Sequence, residues 1–303
     1  MASLRAHFLA WIVRRQIRRR LAGATDVRQV RRVFDAAAFP DPPGIGFRPG
    51  LVGGIAGEWA ERRGLGPDAP RLLYLHGGGF VACSPRTHRP LIGGFAGRGF
   101  RVFTPDYRLA PEHPYPAALD DAVAAWTEFA AEGQAVLAGE SAGGNLVLAL
   151  MLRLRRTGGP LPAAAAIFSP ATDMEGMGAS MHENAARDAM FSPETFRPIV
   201  DAYLAGHDPT DPLVSPLRGD LAGLPPLLIH VGERELLRDD SVRLAAKARA
   251  AGVTVALTVW PVVPHAWQFA SSFLPEARRS LGEASDFLKA RLAAAPEAAP
   301  ALR

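Results

Sequence analysis

Hydrophobic positions along the chain switch between two periods, and the switching predicts most of its elements. Apolar runs that suit strands fall at Arg71 to Leu75, Arg101 to Thr104, Ala135 to Ala138, Ala163 to Phe168, Leu227 to Val231 and Val253 to Trp260. Stretches of helical period lie between them at Thr87 to Arg98, Ala117 to Ala131, Ser141 to Arg156 and Asp239 to Ala251, with a last amphipathic one near Phe273 to Leu292. Strands alternating with helices over this length imply an α/β fold built on a mostly parallel, doubly wound sheet. Upstream, Pro40 to Gly50 is a Pro/Gly-rich connection, and Phe47 to Trp59 alternates around Gly53-Gly54 as a β-hairpin does. Residues 171 to 216 break the rhythm with four methionines, scattered polar residues and a helix-like piece near Pro193 to Leu204. An insertion of this kind, between regular βα units, is where a lid sits. No internal repeat is visible.

The first forty residues read differently. Leu4, Phe8, Trp11 and Ile12 share one helical face, while Val13, Ile17 and Leu21 form a second stripe, with Arg14, Arg15, Arg18 and Arg19 opposite. The expectation is a helix that buries two patches and turns a solvated basic face outward. Thr25-Asp26 suits the N-cap of another short helix with Val27, Val30 and Phe34 inward. The Ala/Pro-rich tail from Ala293 onward is expected to be disordered.

Composition narrows the function. A chain of 303 residues that is 48% hydrophobic can bury one large core. The single cysteine, Cys83, excludes a disulfide framework and any cysteine-based metal site, and reads as a buried loop residue in a reducing compartment. The pI near 9.7 points towards nucleic acid until the charge is located. Residues 1 to 32 hold nine arginines against Asp26, a net of +8, so with a total of +4 the rest of the chain carries −4. The body is mildly acidic, which argues against a nucleic-acid partner; contact of the basic arm with an anionic membrane is the minor alternative to a face packed on the body. The apolar stretch Phe8 to Val13 is short for a signal-peptide core and is followed by arginines, without a small-x-small cleavage site. A soluble, cytoplasmic protein is expected.

The candidate chemistry centres on Val136 to Leu146, where a β-type run meets Gly139-Glu140-Ser141-Ala142-Gly143 and continues as a good helix former. Strand, sharp turn and helix in that order make a nucleophile elbow that presents the Ser141 hydroxyl above a sheet edge. Its donors have a candidate in His76-Gly77-Gly78-Gly79, directly after a strand, whose glycines let N–H groups approach a ligand oxygen; the Ala142 N–H completes an oxyanion hole with them. No Lys-Ser/Thr follows, as a phosphate-binding P-loop would need. The base must come late in the order serine, acid, histidine, and of eight histidines His265 fits, in the loop after the strand ending at Trp260. His230 lies within a strand, and His88, His182 and His207 precede the acid. The acid should follow Leu227 to Val231, where Glu233, Glu235, Asp239 and Asp240 are all within reach and spacing does not choose among them.

Taken together, His76 to Phe80, Asp106 to Glu112, Gly139 to Gly144 and His265 resemble the hormone-sensitive-lipase family of α/β-hydrolases, the bacterial carboxylesterases with an HGGG motif, and Ser169 to Asp173, Ser215 to Leu217 and Leu224 to Pro226 match family punctuation over nearly the whole chain. Within the family the chain is similar to acetyl-ester hydrolases and monoterpene ε-lactone hydrolases. The resemblance implies an α/β-hydrolase fold with a helical cap. Residues 1–40 would supply cap helices, and residues 41–303 a catalytic domain with the cap insertion at about 171–216. It implies a cofactor-free, metal-free serine carboxylester hydrolase acting on a short- to medium-chain ester or lactone. It places the acid at Glu235, within the pattern that continues through Leu237 and Asp239, with Asp239 in reserve as a helix cap. Glu235 for the family's aspartate is a departure, as is Glu140 before the serine. Gly78, Gly79 and Ala142 would hold the oxyanion, with His76, Gly77 and the Asp106 to Asp121 segment as support. The alternatives are an amidase or arylformamidase on the same fold, and a non-catalytic small-molecule binder of the kind some relatives become on losing the histidine. A homodimer through the last strand and helix is common in the family.

Overall fold

The computed structural model describes residues 2–24, 26–36 and 39–294. In chain order it contains helix α1 (Leu4–Val13), a π-helical turn (Arg14–Arg18), α2 (Arg19–Ala22) and α3 (Val27–Asp35). The hairpin β1 (Ile45–Val52) and β2 (Ile55–Arg62) precedes β3 (Arg71–Leu75), α4 (Arg89–Ala96), β4 (Arg101–Pro105), α5 (Ala117–Ala131), β5 (Val136–Glu140), α6 (Ala142–Thr157) and β6 (Ala165–Phe168). Then come α7 (Ser180–Glu183), α8 (Pro193–Leu204), β7 (Leu227–Gly232), α9 (Arg238–Ala250), β8 (Val255–Trp260) and α10 (Pro275–Ala294). Thr25 and the tail beyond residue 294 lie outside the described residues, and Asp26 caps α3, accepting from Gln29 N at 2.9 Å.

The eight strands form one sheet in the order β1-β2-β4-β3-β5-β6-β7-β8. Pairing is antiparallel from β1 through β2 to β4 and parallel from there on. One face is covered by α5, α6 and α9 through Trp126, Leu148 and Leu244, and the other by α4 and α10 through Phe95 and Leu281. Both faces are apolar, which is why the central strands read as continuous hydrophobic runs. Because β3, β5, β6, β7 and β8 are parallel, the loops that leave their carboxyl ends gather along one edge of the sheet.

The N-terminal segment corrects one expectation. The first stripe is mostly exposed: Leu4 is 88% exposed, Phe8 52% and Trp11 55%, and Ile12 is partly covered. The second stripe is the buried side, with Val13 and Leu21 buried and Ile17 partly covered, and Ala6 and Leu9 join it. From residue 9 these positions recur every fourth residue, a spacing that drifts around a regular α-helix. The π turn at Arg14–Arg18 widens the winding and brings them back to one side. Nor is the arginine side simply solvated. Arg14 donates to Ala186 O at 2.7 Å, and Arg18 donates to Ala185 O at 2.6 Å and to Asp188 O. Arg31 reaches Val81 O, Ala110 O and the Glu112 carboxylate. These cations fasten the segment to the rest of the protein. Among the described residues no helix is long and apolar enough to cross a membrane.

Candidate active site

The elbow forms because β5 must turn sharply into α6 under a crowded roof. Ser141 sits at φ 56, ψ −120, a conformation non-glycine residues rarely adopt, and the strain is held by its neighbours. Ser141 N donates to Phe168 O at 2.8 Å, and Ala171 N donates back to Ser141 O at 3.2 Å. The flanking glycines are required by close approach: a Cβ on Gly143 would lie 1.9 Å from Leu75 O, and one on Gly139 2.7 Å from the same atom. The turn leaves Ser141 lining a cavity of about 200 Å³.

His265 lines the same cavity, in the loop after β8. Its Nδ1 is 2.6 Å from Glu235 Oε2, and both side chains are buried. The other carboxylate oxygen accepts from Gly232 N at 2.6 Å and Ser169 Oγ at 2.8 Å, so Glu235 is held on two sides. Burial alone would depress the His265 imidazolium. The Glu235 charge and hydrogen bond, with the Asp188 and Glu140 charges behind them, outweigh it and raise the pKa above the ordinary histidine value. Ser141 Oγ makes no hydrogen bond to a described residue.

The other carboxylates that spacing left open are used elsewhere. Asp239 accepts from Ser180 N at 2.9 Å and pairs with Arg238, and Asp240 accepts from the N–H groups of Thr172 and Asp173. Glu233 is exposed.

Gly78 and Gly79 follow β3 with positive φ (113 and 65), and their N–H groups donate to no described residue. A Cβ on Gly78 would meet Ala82 O at 2.3 Å. The Ala142 N–H, first in α6, is unpaired by the geometry of a helix start. Beneath this loop lies a buried network in which His76, Gly77 and Tyr107 belong to the expected support, while Glu140, Tyr74 and His88 are the partners sequence reasoning missed. The Glu140 carboxylate accepts from Gly77 N at 2.5 Å, lies 2.6 Å from His88 Nε2, and accepts from the Tyr74 hydroxyl. Tyr107 stacks on His76 and donates to its carbonyl at 2.5 Å, while burial pushes the His76 pKa down to about 3, leaving the ring neutral. The only signal in the sequence was a glutamate directly before the elbow serine.

The cavity walls are apolar. Leu9, Val13 and Ile17 contribute from the N-terminal segment, Phe191 and Ile199 from the 171–216 insertion, and Phe269 from the loop before α10. Phe191 packs edge-on to the His265 ring at 5.2 Å, and Ile199 sits against the oxyanion loop, where a Cβ on Gly79 would come within 2.5 Å of its Cγ2. Cys83 also lines the cavity and is only partly covered, and the low-dielectric surroundings with the nearby Asp35 and Glu140 charges push its thiol pKa far up.

Residues 72–269 match the family described as alpha/beta hydrolase fold. An acetyl-hydrolase of Streptomyces hygroscopicus is 42% identical over 253 residues, covering 81% of this chain and 84% of that protein. An esterase of Acinetobacter venetianus is 35% identical over 255 residues, covering 82% and 84%. The crystal structure of an esterase from the bacterial hormone-sensitive lipase family superposes with a TM-score of 0.89 at 38% identity, covering 96% of this chain and all of that one.

Proposed function

The chain belongs to the hormone-sensitive-lipase family of α/β-hydrolases and is a carboxylester hydrolase, and from that premise we propose that Ser141, His265 and Glu235 carry the reaction. The supporting observation is the buried 2.6 Å contact between Glu235 and His265 Nδ1 at the wall of the cavity that Ser141 lines. Glu235 fixes the tautomer with the proton on Nδ1, so Nε2 accepts the Ser141 proton as Oγ attacks the ester carbonyl. The tetrahedral oxyanion is held by the Gly78, Gly79 and Ala142 N–H groups, each worth about 3 kcal/mol of transition-state stabilisation. His265 then protonates the leaving alcohol, and water repeats the cycle on the acyl-enzyme. No step calls for a metal or cofactor.

Residues 1–40 and the 171–216 insertion serve together as the cap, a reading supported by their joint contribution to the cavity wall. Cavities of about 150 Å³ hold benzene, so some 200 Å³ takes roughly eight heavy atoms, which favours short to medium acyl chains or a small lactone over a palmitoyl chain. Nucleic acid is no partner in this reading, since Arg18 and Arg31 are spent on the protein itself. The single cysteine suits the cytoplasm. The test is hydrolysis of p-nitrophenyl acetate, butyrate, octanoate and palmitate, with ε-caprolactone alongside, by wild type and Ser141→Ala. A maximum at short or medium chains that vanishes in Ser141→Ala is expected; full activity in that variant would overturn the assignment.

A further inference from the structure

A second cavity, of about 270 Å³, lies where the N-terminal helix, the insertion and the loop carrying Glu235 meet. Its walls include His7, Arg14, Arg187 and Arg234, and its one acidic residue is Glu235, whose oxygens are taken by His265, Ser169 and Gly232. Among the described residues no carboxylate forms an ion pair with these arginines. Arg14 donates only to backbone carbonyls, Arg187 makes only a 3.4 Å contact with the Asn184 side-chain oxygen, and Arg234 makes no hydrogen bond or ion pair with any described residue. The Arg234 Nε is moreover shut off from solvent without an acceptor. Arg31–Glu112, Arg89–Glu58 and Arg108–Asp121 show the carboxylate pairing that these three arginines do not have.

Three arginines line one hollow without a carboxylate partner of their own, and a buried N–H left without an acceptor costs its desolvation. Both are answered by one occupant, an anion with several acceptor oxygens, for which guanidinium forks are the matching donors. We infer that this cavity is a binding site for a small oxyanion, a phosphate or a carboxylate, separate from the ester-binding cavity. The two cavities share Pro264, and Arg234 directly precedes Glu235, so an occupant would sit against the back of the catalytic-acid loop. The inference stands on unpaired charge rather than on ester hydrolysis, and its readout is binding, so its failure would leave the proposed function untouched.

Isothermal titration calorimetry of the full chain at near-physiological salt would use inorganic phosphate in one arm and acetate in the other. Saturable one-to-one binding of either is expected, and which arm titrates identifies the source of the oxyanion. Arg187→Gln and Arg234→Gln should each weaken it by about tenfold or more, the loss of one charge-assisted contact. Arg156→Gln, which removes the same charge from the exposed end of α6, should leave the affinity unchanged. Thermal melts would verify that each variant is folded. Absence of binding in both arms up to about 10 mM, or equal weakening by Arg156→Gln, would overturn the inference, since a Kd above that range is no specific site.

Discussion

Replacing Glu235 by glutamine changes one atom's chemistry while keeping shape and burial. In wild type, Oε1 accepts from Gly232 N at 2.6 Å and Ser169 Oγ at 2.8 Å, and Oε2 faces His265 Nδ1 at 2.6 Å. A glutamine can keep its carbonyl oxygen on the first two donors, and its NH₂ then points at Nδ1. Nδ1 must become an acceptor, the ring proton moves to Nε2, and the imidazole can no longer take the Ser141 proton. The opposite amide rotamer would leave Gly232 N facing a donor, so neither orientation satisfies both sides. The loss from such a tautomer error is about 10³ to 10⁴ in kcat, roughly 4–5.5 kcal/mol. The assay is steady-state hydrolysis of p-nitrophenyl acetate over a range of pH. Two readouts should move together: kcat falls by that factor, and the acidic limb of any residual kcat/KM shifts to lower pH, because the charge that raises the His265 pKa is gone. A loss of less than about tenfold, or an unmoved acidic limb, would refute Glu235 as the orienting acid; Asp239→Asn, by contrast, should cost activity little.

In wild type His265 must be neutral to act as base, so kcat/KM should rise with pH and level off only above the ordinary histidine range, because the folded pKa is raised; a midpoint below about 6 would contradict that shift. Gly78→Ala should lower kcat by about 10²- to 10³-fold, as its Cβ drives into Ala82 O and displaces an oxyanion donor, with pre-steady-state burst amplitude measuring whether acylation is the step affected. Phe191→Ala opens the wall beside His265, and the preferred p-nitrophenyl ester should lengthen by several carbons; an unchanged chain-length profile would remove Phe191 from the acyl site. Glu140→Gln replaces one carboxylate oxygen with an NH₂, so one donor of the buried Gly77–His88–Tyr74 network loses its acceptor, and should lower the melting temperature together with kcat, by circular dichroism and by assay.

The framework was legible in the sequence because periodicity and glycine chemistry are local. β3 at Arg71–Leu75 and α5 at Ala117–Ala131 coincide with the runs that predict them, and the positive φ of Gly78 and the crowding at Gly143 are what glycines in those places imply. The strand before the elbow and the last helix moved by one or two residues, as ends set by capping do. What was not legible depends on contacts between distant segments. The four carboxylates after β7 are equivalent in spacing, and Glu235 was singled out by the family resemblance alone; the fold turns it towards His265 while Ser180 and Thr172 claim Asp239 and Asp240. The exposure of Phe8 and Trp11 followed from two stripes of similar apolarity and a π turn that no local pattern announced. Nor could Glu140 be read as the anchor of the oxyanion loop, since Gly77 and His88 lie 63 and 52 residues away.

The claim on which the account rests is that Ser141 is the nucleophile. The most direct measurement is to treat the protein with diethyl p-nitrophenyl phosphate, count the p-nitrophenol released, and locate the diethylphosphoryl group by intact and peptide mass spectrometry. The account predicts one equivalent released, one adduct per chain on Ser141, and matching loss of esterase activity. An adduct on any other residue, or an active protein that is never labelled, would contradict it.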